Sequence, residues 1–277
     1  MLKHIVLLGV LAQVAKKPKN FFVLDTHAGE GLYNIGETEH ADDVAAQDFV
    51  NASPLSDIGK MYQRYISPYM QQHRYPGSPV IIKDFIRDSC AQKVSFHANE
   101  LSNDVYNRLS EELSSRCFVH NKNAFDIVVQ LLPPQPRRGL LLIDPPYEQA
   151  IEYSQVVESI TSAYSVWPTG IYLLWYPLLS PQRLNRKTQQ KEENQKAHLT
   201  SHMLATLGQR IAHSILDVRM ADADKDQCSG MYGSGVCIIN PPWKVDELIA
   251  SALQDAQKLM TSLPNVVTEL NWLKAPR

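Results

Sequence analysis

Short unbroken apolar runs alternate along this chain with stretches whose apolar residues recur at helical spacing. Unbroken runs predict buried strands, because a parallel strand covered on both faces is apolar throughout. Strands are predicted at 21–24, 94–96, 116–120, 140–143, 171–175, 211–219, 234–239 and 266–272. Helices are predicted at 2–15, from 78 onward, and at 102–114, 124–132, 149–164, 181–208 and 244–261. This alternation predicts an α/β fold with a doubly wound, mostly parallel sheet, and the closely spaced late strands predict an antiparallel edge.

Residues 38–73 interrupt the alternation. They are polar, contain no convincing strand, and carry bulky residues at helical spacing, namely Met61, Tyr62, Tyr65 and Tyr69. We therefore predict a small helical insertion at 38–73 in a main domain formed by residues 1–37 and 74–277.

Composition is that of an ordinary globular protein, with 277 residues, 44% of them hydrophobic and 20% charged. The apolar stretch 5–12 is too short to span a membrane and suits a first helix better than a signal peptide, so no membrane partner is expected. No Cys-x-x-Cys pair occurs, which predicts free thiols in a reducing cytoplasm. His198 and His202 are four residues apart but lack a carboxylate motif, so no metal is expected.

The net charge of −2 does not by itself indicate a nucleic-acid-binding protein. Binding to a phosphate backbone would have to depend on local basic clusters. Such clusters are more often solvated surface, and alone they support RNA binding weakly. They comprise Lys16, Lys17 and Lys19, then Arg137 and Arg138, and finally Arg183, Arg186, Lys187 and Lys191.

The sequence Asp144-Pro145-Pro146-Tyr147 follows the predicted strand 140–143 and carries the strongest chemical signal. A strand that ends in such a turn places these groups at the carboxyl edge of the sheet, where open α/β folds bind ligands. The carboxylate and a proline carbonyl can accept the two hydrogens of an exocyclic amine, and a tyrosine ring can stack on a flat base.

A second candidate loop, Asp25-Thr26-His27-Ala28-Gly29-Glu30-Gly31, follows the first predicted strand. It departs from the dinucleotide fingerprint and lacks a phosphate-binding lysine, which disfavours NAD and ATP. An Asp-x-x-x-Gly-x-Gly loop better suits S-adenosylmethionine, although the glycines also suit a plain tight turn. Glu100 follows the next full strand and is placed to bind a ribose diol, or else is a surface acid.

Asn240-Pro241-Pro242-Trp243 competes with the Asp144 motif, because an asparagine can also hold an amine. Only 34 residues follow Trp243, enough for one helix and one strand, whereas 130 follow Tyr147. We therefore interpret Asn240–Trp243 as a turn at a strand end with a packed tryptophan.

Taken together, these motifs resemble the bacterial 23S ribosomal RNA adenine methyltransferases of the J type, over essentially the whole chain. The resemblance includes Leu2-Lys3-His4, Leu24 to Gly31, Tyr75-Pro76-Gly77-Ser78-Pro79, Glu100-Leu101, Arg138-Gly139-Leu140, Ile143 to Glu148, Leu174 to Pro177, Gly235 and Ile239 to Lys244. The Asp-Thr-His-Ala-Gly and Tyr-Pro-Gly-Ser-Pro elements are the most selective. A Rossmann-like methyltransferase domain with a helical insertion is what the resemblance implies.

The resemblance also implies a site and partners. Asp144 would be catalytic, with Pro145, Pro146 and Tyr147 binding the substrate base. S-adenosylmethionine would be the cofactor and 23S ribosomal RNA, free or in an assembly intermediate, the partner of a cytoplasmic monomer. The cofactor residues would be Lys3, His4, Asp25, His27, Gly29, Ser78, Glu100, Asn123, Ala124 and Asp144.

Two features depart from the family pattern. Family members usually carry a short segment rich in His, Gly and Asn before the Leu-Lys-His element, whereas this chain begins at Met1. We expect either an upstream start or the loss of part of the cofactor and RNA clamp. Asn123-Ala124-Phe125 stands where Asp-Gly-Phe is usual, and the Asn123 amide oxygen can still accept a hydrogen bond. The alternatives are methylation of DNA adenine or protein glutamine, or RNA binding without catalysis.

Overall fold

A computed structural model describes residues 1–35, 41–113, 117–185, 188–222, 228–263 and 265–276. The helices are α1 Leu2–Ala15, α2 Ala41–Asn51, α3 Asp57–Met70, α4 Ser78–Ser89, α5 Asn103–Leu113, α6 Ala124–Leu131, α7 Ile151–Val166, α8 Leu199–Arg210 and α9 Val245–Leu259. The strands are β1 Phe21–Asp25, β2 Leu32–Asn34, β3 Arg74–Pro76, β4 Val94–Asn99, β5 Phe118–His120, β6 Gly139–Ile143, β7 Ile171–Leu179, β8 Gln182–Leu184, β9 Lys191–Glu193, β10 Ile215–Asp222, β11 Met231–Ile239 and β12 Val266–Lys274. Every helix in these ranges is too short or too polar to cross a lipid bilayer.

The central sheet has eight strands in the order β12-β10-β11-β7-β6-β1-β4-β5. The run from β7 to β5 is parallel, while β11 pairs antiparallel with both β7 and β10, and β12 pairs antiparallel with β10. The predicted doubly wound sheet with an antiparallel edge is therefore confirmed. From β1 the chain moves outward to β4 and β5, then returns to β6 on the other side. A crevice for a ligand is expected at this switch between β1 and β6.

Strands β1 and β6 are buried along their whole length. Their side chains alternate between two hydrophobic clusters. Phe21, Val23 and Leu140 belong to the cluster that includes α1, α3, α4 and α9, whereas Phe22 and Leu141 belong to the cluster that includes α7 and α8. Helices on both faces explain why these strands are unbroken apolar runs in the sequence.

The predicted helix at 181–208 is wrong. β8 and β9 instead form an exposed antiparallel hairpin, and α8 begins only at Leu199. Buried Asn194 fixes the segment, because its amide nitrogen donates to the Ser180 carbonyl at 3.1 Å. The strands of this hairpin have no buried face, so their apolar and polar residues do not alternate as in most strands. The polar sequence therefore gave no signal for strands. Residues 186 and 187 of the basic cluster lie outside the described ranges.

Helices α2 and α3 lie within the predicted insertion, whose residues 38–40 are outside the described ranges. Both helices contribute to the same hydrophobic cluster as α1 and α9. Asp255 of α9 accepts hydrogen bonds from the Leu55 and Ser56 backbone amides at 3.2 and 2.8 Å, which anchors the start of α3. The division into a separate subdomain stays a prediction.

The Asn240–Trp243 turn lies far from Asp144. Because β11 is antiparallel to β7, with Ile239 paired to Tyr172, the turn lies at the edge where β6 and β7 begin. Asp144 follows the end of β6, roughly 17 Å away along the strand at about 3.3 Å per residue. The turn is as predicted, but the packed tryptophan is wrong, since Trp243 is 82% exposed. Exposure depends on the neighbouring elements, which the local sequence does not reveal.

Two histidines on the β4–β5 pair predict a pH dependence of stability. His97 Nδ1 and His120 Nε2 lie 2.9 Å apart in parallel rings. Burial, followed by the charge of His120, lowers the pKa of His97 to about 4. Above its unfolded pKa near 6.5 the residue is neutral in both states, but below it only the unfolded chain binds the proton. We expect His97 to reduce the free energy of unfolding by about 1 kcal/mol as pH falls from 7 to 5, after discounting for solvent screening.

Urea denaturation at both pH values measures this loss. The variant His97→Gln should lose less stability on acidification than the wild type, whereas exposed His202→Gln should behave as the wild type does. Equal losses in the wild type and His97→Gln would show that His97 does not contribute.

Candidate active site

Asp144 stands where β6 leaves the sheet. The run Gly139–Ile143 is buried, and the two prolines that follow cannot donate to a neighbouring strand, so the chain turns at the edge. The turn opens into a cavity of about 690 Å³. A shared site requires the separate predicted motifs to meet at one cavity, and they do. The lining includes His27, Gly29, Glu100, Asn123, Ala124, Asp144, Pro145 and Pro146.

Lys3 of α1 forms a salt bridge with Asp144, its ammonium contacting Oδ2. Both side chains are about one-fifth exposed, at 21% and 18%. Burial disfavours the Lys3 ammonium, but the charge and hydrogen bond of Asp144, together with the charge of Asp25, outweigh this effect and raise the pKa of Lys3 above its ordinary value. Lys3 is thus a charged partner that fixes the orientation of the carboxylate, and Oδ1 is left for other contacts.

Asp25 and Ser78 lie in the core beneath the cavity. Asp25 is fully buried, and Ser78 donates a hydrogen bond to its Oδ2 at 2.6 Å. Burial raises the pKa of Asp25 to about 6, although the Ser78 hydrogen bond and the Lys3 charge oppose the shift. The contact joins the end of β1 to the start of α4. Direct cofactor contacts by these two residues stay a prediction.

The tautomer of His27 follows from its neighbour. Thr26 donates its hydroxyl hydrogen to the Leu142 carbonyl at 3.0 Å, so the same oxygen must accept the bond of 2.8 Å from His27 Nδ1. Burial lowers the pKa of His27 to about 4. The imidazole is therefore neutral at pH 7, with the proton on Nδ1 and an acceptor at Nε2.

His4 is buried behind the cavity. Its Nδ1 shares a hydrogen bond of 2.8 Å with the hydroxyl of Tyr75, and the two rings are stacked. Burial lowers the pKa of His4 well below its ordinary value. This neutral ring joins α1 to the Tyr75–Pro79 element, and its contact with a cofactor stays a prediction.

Glu100 holds the loop after β1 against the loop after β4. Its Oε2 accepts a hydrogen bond from the Gly29 amide at 3.1 Å, and its Oε1 accepts one from Ser102 at 2.9 Å. Gly29 has φ +63°, and a Cβ there would lie 2.0 Å from the Tyr33 hydroxyl. The left-handed backbone conformation therefore favours glycine here, and a larger residue would also displace the Tyr33 side chain. Each carboxylate oxygen keeps a lone pair for a ligand hydroxyl.

Asn123 is the N-cap of α6, and its Oδ1 accepts a hydrogen bond from the Phe125 amide at 2.9 Å. Asn99, which the sequence analysis missed, connects this loop to the others. It is buried and donates to the carbonyls of Thr26 and Lys122 at 3.1 and 2.9 Å. Asn99 ends β4 and directly precedes Glu100, and this position in the sequence could have marked it as part of the site.

Comparison with known proteins agrees with this geometry. Residues 18–273 match the model of the family described as ribosomal RNA large subunit methyltransferase D, RlmJ. The chain belongs to this family. It is 33% identical over 263 residues to ribosomal RNA large subunit methyltransferase J of Escherichia coli K12, covering 91% of this chain and 86% of the relative. It is also 33% identical over 283 residues to the protein of that name from Haemophilus influenzae, covering 99% and 94%.

A solved structure shows the same fold. The crystal structure of a protein from Legionella pneumophila superimposes with a TM-score of 0.80 at 26% sequence identity, covering 98% of this chain and 95% of that one. Membership in the RlmJ family makes this protein a ribosomal RNA methyltransferase. It therefore places the Asp144 turn within a methyl-transferring enzyme.

Within this RlmJ-family site, Tyr147 occupies an unexpected position. It has φ +52° and is only 3% exposed. Its hydroxyl donates to the Trp175 carbonyl at 3.0 Å, and its ring packs against Tyr153. Stacking of Tyr147 on a substrate base stays a prediction, and it requires the ring to leave this position.

Lys196 also contacts the turn, although the sequence pattern predicts a helix at this position and gives no sign of the contact. Its ammonium donates to the carbonyls of Tyr147 and Glu148 at 2.8 and 3.1 Å. The loop between β9 and α8 therefore secures the end of the Asp144 turn. In this RlmJ-family protein, the carboxylate is held by Lys3 on one side and its turn by Lys196 on the other.

Proposed function

We propose that this protein transfers a methyl group from S-adenosylmethionine to the exocyclic N6 amine of an adenine in 23S ribosomal RNA, in the cytoplasm. The supporting observation is that the Asp144 turn and the Gly29–Glu100 contact line one cavity. The Asp144 carboxylate, suited to a substrate amine, and the Glu100 carboxylate, suited to a ribose diol, therefore face the same cavity. Membership in a ribosomal RNA methyltransferase family supports RNA as the substrate over DNA or protein.

The residues present fit S-adenosylmethionine. When bound, this cofactor supplies an electrophilic methyl group on a cationic sulfonium. Glu100 is fixed by two backbone amides and retains lone pairs for a ribose diol. Asn123 and Ala124 line the same cavity and are placed for the adenine ring of the cofactor. The described cavity residues offer no phosphate-binding lysine, which agrees with a ligand that lacks phosphate.

Asp144 has the geometry to orient a substrate amine. The adenine N6 lone pair is delocalised into the ring, so the amine is a poor nucleophile. Asp144 Oδ1 is not engaged by Lys3, and together with the Pro145 carbonyl it can accept the two amine hydrogens. These hydrogen bonds favour a pyramidal nitrogen and direct its lone pair toward the methyl group. Positioning, more than proton transfer, then provides the acceleration.

Methyl incorporation tests the proposal. The purified protein is incubated with tritiated S-adenosylmethionine and, in parallel, unmethylated 23S ribosomal RNA, duplex DNA and a glutamine-containing protein substrate. We expect label in the RNA, recovered as N6-methyladenosine after nuclease digestion and mass spectrometry. Label in DNA or protein instead would refute the substrate. Failure to bind S-adenosylmethionine in calorimetry would favour the non-catalytic alternative.

Replacing Glu100 with glutamine should weaken cofactor binding. Glutamine keeps the size of the side chain but loses the charge and one acceptor, and a hydrogen bond to a charged group contributes roughly 1.5–3 kcal/mol. We expect the Kd for S-adenosylmethionine in calorimetry to rise at least about tenfold. Exposed Glu111→Gln on α5 is the matched control and should bind as the wild type does. An unchanged Kd in Glu100→Gln would remove this residue from the cofactor site.

A further inference from the structure

The edge of the sheet opposite the cavity has an unusual charge distribution. The parallel strands and β10 begin at this edge, and β11 and β12 end there. We call it the amino-terminal edge. Its described connecting residues are 16–20, 90–93, 117, 132–138, 167–170, 211–214, 240–244 and 275–276. These loops contain no aspartate or glutamate, although the chain has 29 acidic residues.

The same loops are rich in cations. Lys16, Lys17 and Lys19 follow α1, Lys93 precedes β4, and Arg137 precedes β6; all five are exposed. Among the described residues, none of these five side chains has a carboxylate within ion-pairing distance. The acids that flank these loops most closely along the chain include Asp88 at the end of α4, which pairs with Arg87, and Asp246 and Glu247 in the first turn of α9.

The fold joins two clusters that are far apart in sequence. The Arg138 guanidinium donates to the Lys19 carbonyl at 2.9 Å and also to the Val14 carbonyl, which fixes the 132–138 loop against the end of α1. The Lys93 amide donates to Asn20 Oδ1 at 3.1 Å. Trp167 Nε1 donates to the Arg137 carbonyl at 2.6 Å. These contacts bring the loops that carry the basic side chains next to one another.

An exposed aromatic side chain completes this edge. Asn240 Nδ2 donates to the carbonyls of Thr169 and Gly170, each at 3.2 Å, so the Asn240–Trp243 turn adjoins the same row of loops. Trp243 presents its indole to solvent at 82% exposure. Exposed cations beside an accessible aromatic face are the combination that contacts phosphates and stacks on unpaired bases in RNA.

We propose that the amino-terminal edge is a second contact surface for the ribosomal RNA substrate, separate from the cavity, in which Lys16, Lys17, Lys19, Lys93 and Arg137 bind backbone phosphates and Trp243 stacks on an unpaired base. The proposal rests on the proposed RNA substrate. The edge lies roughly 17 Å from Asp144 along β6 at about 3.3 Å per residue, so a large folded RNA can reach both places. A protein with a net charge of −2 can bind RNA in this way because its acids are concentrated elsewhere.

The test uses the full chain, in vitro transcribed 23S ribosomal RNA and the double variant Lys17→Glu with Lys19→Glu. Filter binding at several salt concentrations gives the affinity and its salt dependence. Each lost phosphate contact should reduce the slope of log K against log salt by roughly 0.7–0.9. We expect at least a tenfold weaker Kd for RNA and a raised KM, with kcat and S-adenosylmethionine binding unchanged. Trp243→Ala should weaken RNA binding without changing the salt slope.

The matched control is Lys60→Glu with Lys258→Glu, which makes the same charge change at exposed positions outside these loops. The proposal is overturned if both double variants weaken RNA binding equally, or if Lys17→Glu with Lys19→Glu lowers only the melting temperature. The second result would mean that the lysines merely compensate the carboxyl end of α1. Filter binding needs no methyl transfer, so an enzyme that binds RNA but does not methylate it would count against the proposed function and not against this surface.

Discussion

Asp144→Ala should nearly abolish methyl transfer, with kcat falling by about 100- to 1,000-fold. The variant removes the carboxylate that accepts an amine hydrogen at the end of β6, and removal of one preorganised polar group at a reacting centre costs about 10²–10³ in rate. Cofactor binding should weaken much less, because Glu100 and the Gly29 loop remain in place. Single-turnover methylation of 23S ribosomal RNA and calorimetry with S-adenosylmethionine measure the two effects separately.

Two further variants control this experiment. Asp144→Asn keeps the shape of the side chain, and it separates the loss of charge from the loss of volume. Asp57→Ala removes an exposed carboxylate from the start of α3, outside the cavity lining, and should methylate normally. Because Asp144→Ala leaves the Lys3 ammonium without its partner, its melting temperature must also be measured. Near-normal methylation by a folded Asp144→Ala protein would refute the catalytic assignment.

Gly139→Ala should destabilise the fold by about 3 kcal/mol, the upper part of the usual range for overpacking. Gly139 begins β6 beside β1, and a Cβ there would lie 2.0 Å from the Phe22 carbonyl oxygen. Backbone cannot rotate away as a flexible side chain can, so β1 and β6 would have to separate. These strands carry Asp25 and Asp144. Urea denaturation should therefore show a lower midpoint, with methyl transfer reduced in the remaining folded protein.

Gly208→Ala provides the matched control for Gly139→Ala. A Cβ at Gly208 meets no atom within 4 Å, and the residue lies inside α8. Alanine is favoured over glycine in a helix by about 1 kcal/mol, so this variant should be as stable as the wild type or more so. Equal stability of Gly139→Ala and the wild type would show that the β1–β6 pair can accommodate a methyl group.

The candidate cavity was predictable in its main parts. The runs 21–24 and 140–143 are apolar throughout because helices cover both faces of the sheet, and this requirement is visible locally. Each run ends in a polar motif, and parallel strands bring those ends to one edge. The sequence thus predicted that Asp144 and the Asp25–Gly31 loop lie at one crevice, and Asp144 and Gly29 line one cavity together with Glu100. Their roles there stay a prediction.

Other features depended on contacts between distant residues. The packing of distant elements decides three features of the molecule. They are the burial of the Tyr147 ring, the exposure of Trp243 and the salt bridge between Lys3 and Asp144. The hairpin β8–β9 was missed because its strands have no buried face, and Lys196 was missed with it.

By itself, the sequence determined the strand and helix alternation, the two motifs at the carboxyl edge and the family resemblance, because these depend on local periodicity and short-range chemistry. Only the tertiary structure decided that Lys3 pairs with Asp144 and that Lys196 holds its turn. Only the tertiary structure joined the loop after α1 to the loop before β6. Those pairings connect residues more than forty positions apart, where the order of strands in the sheet, and not the spacing along the chain, brings side chains together.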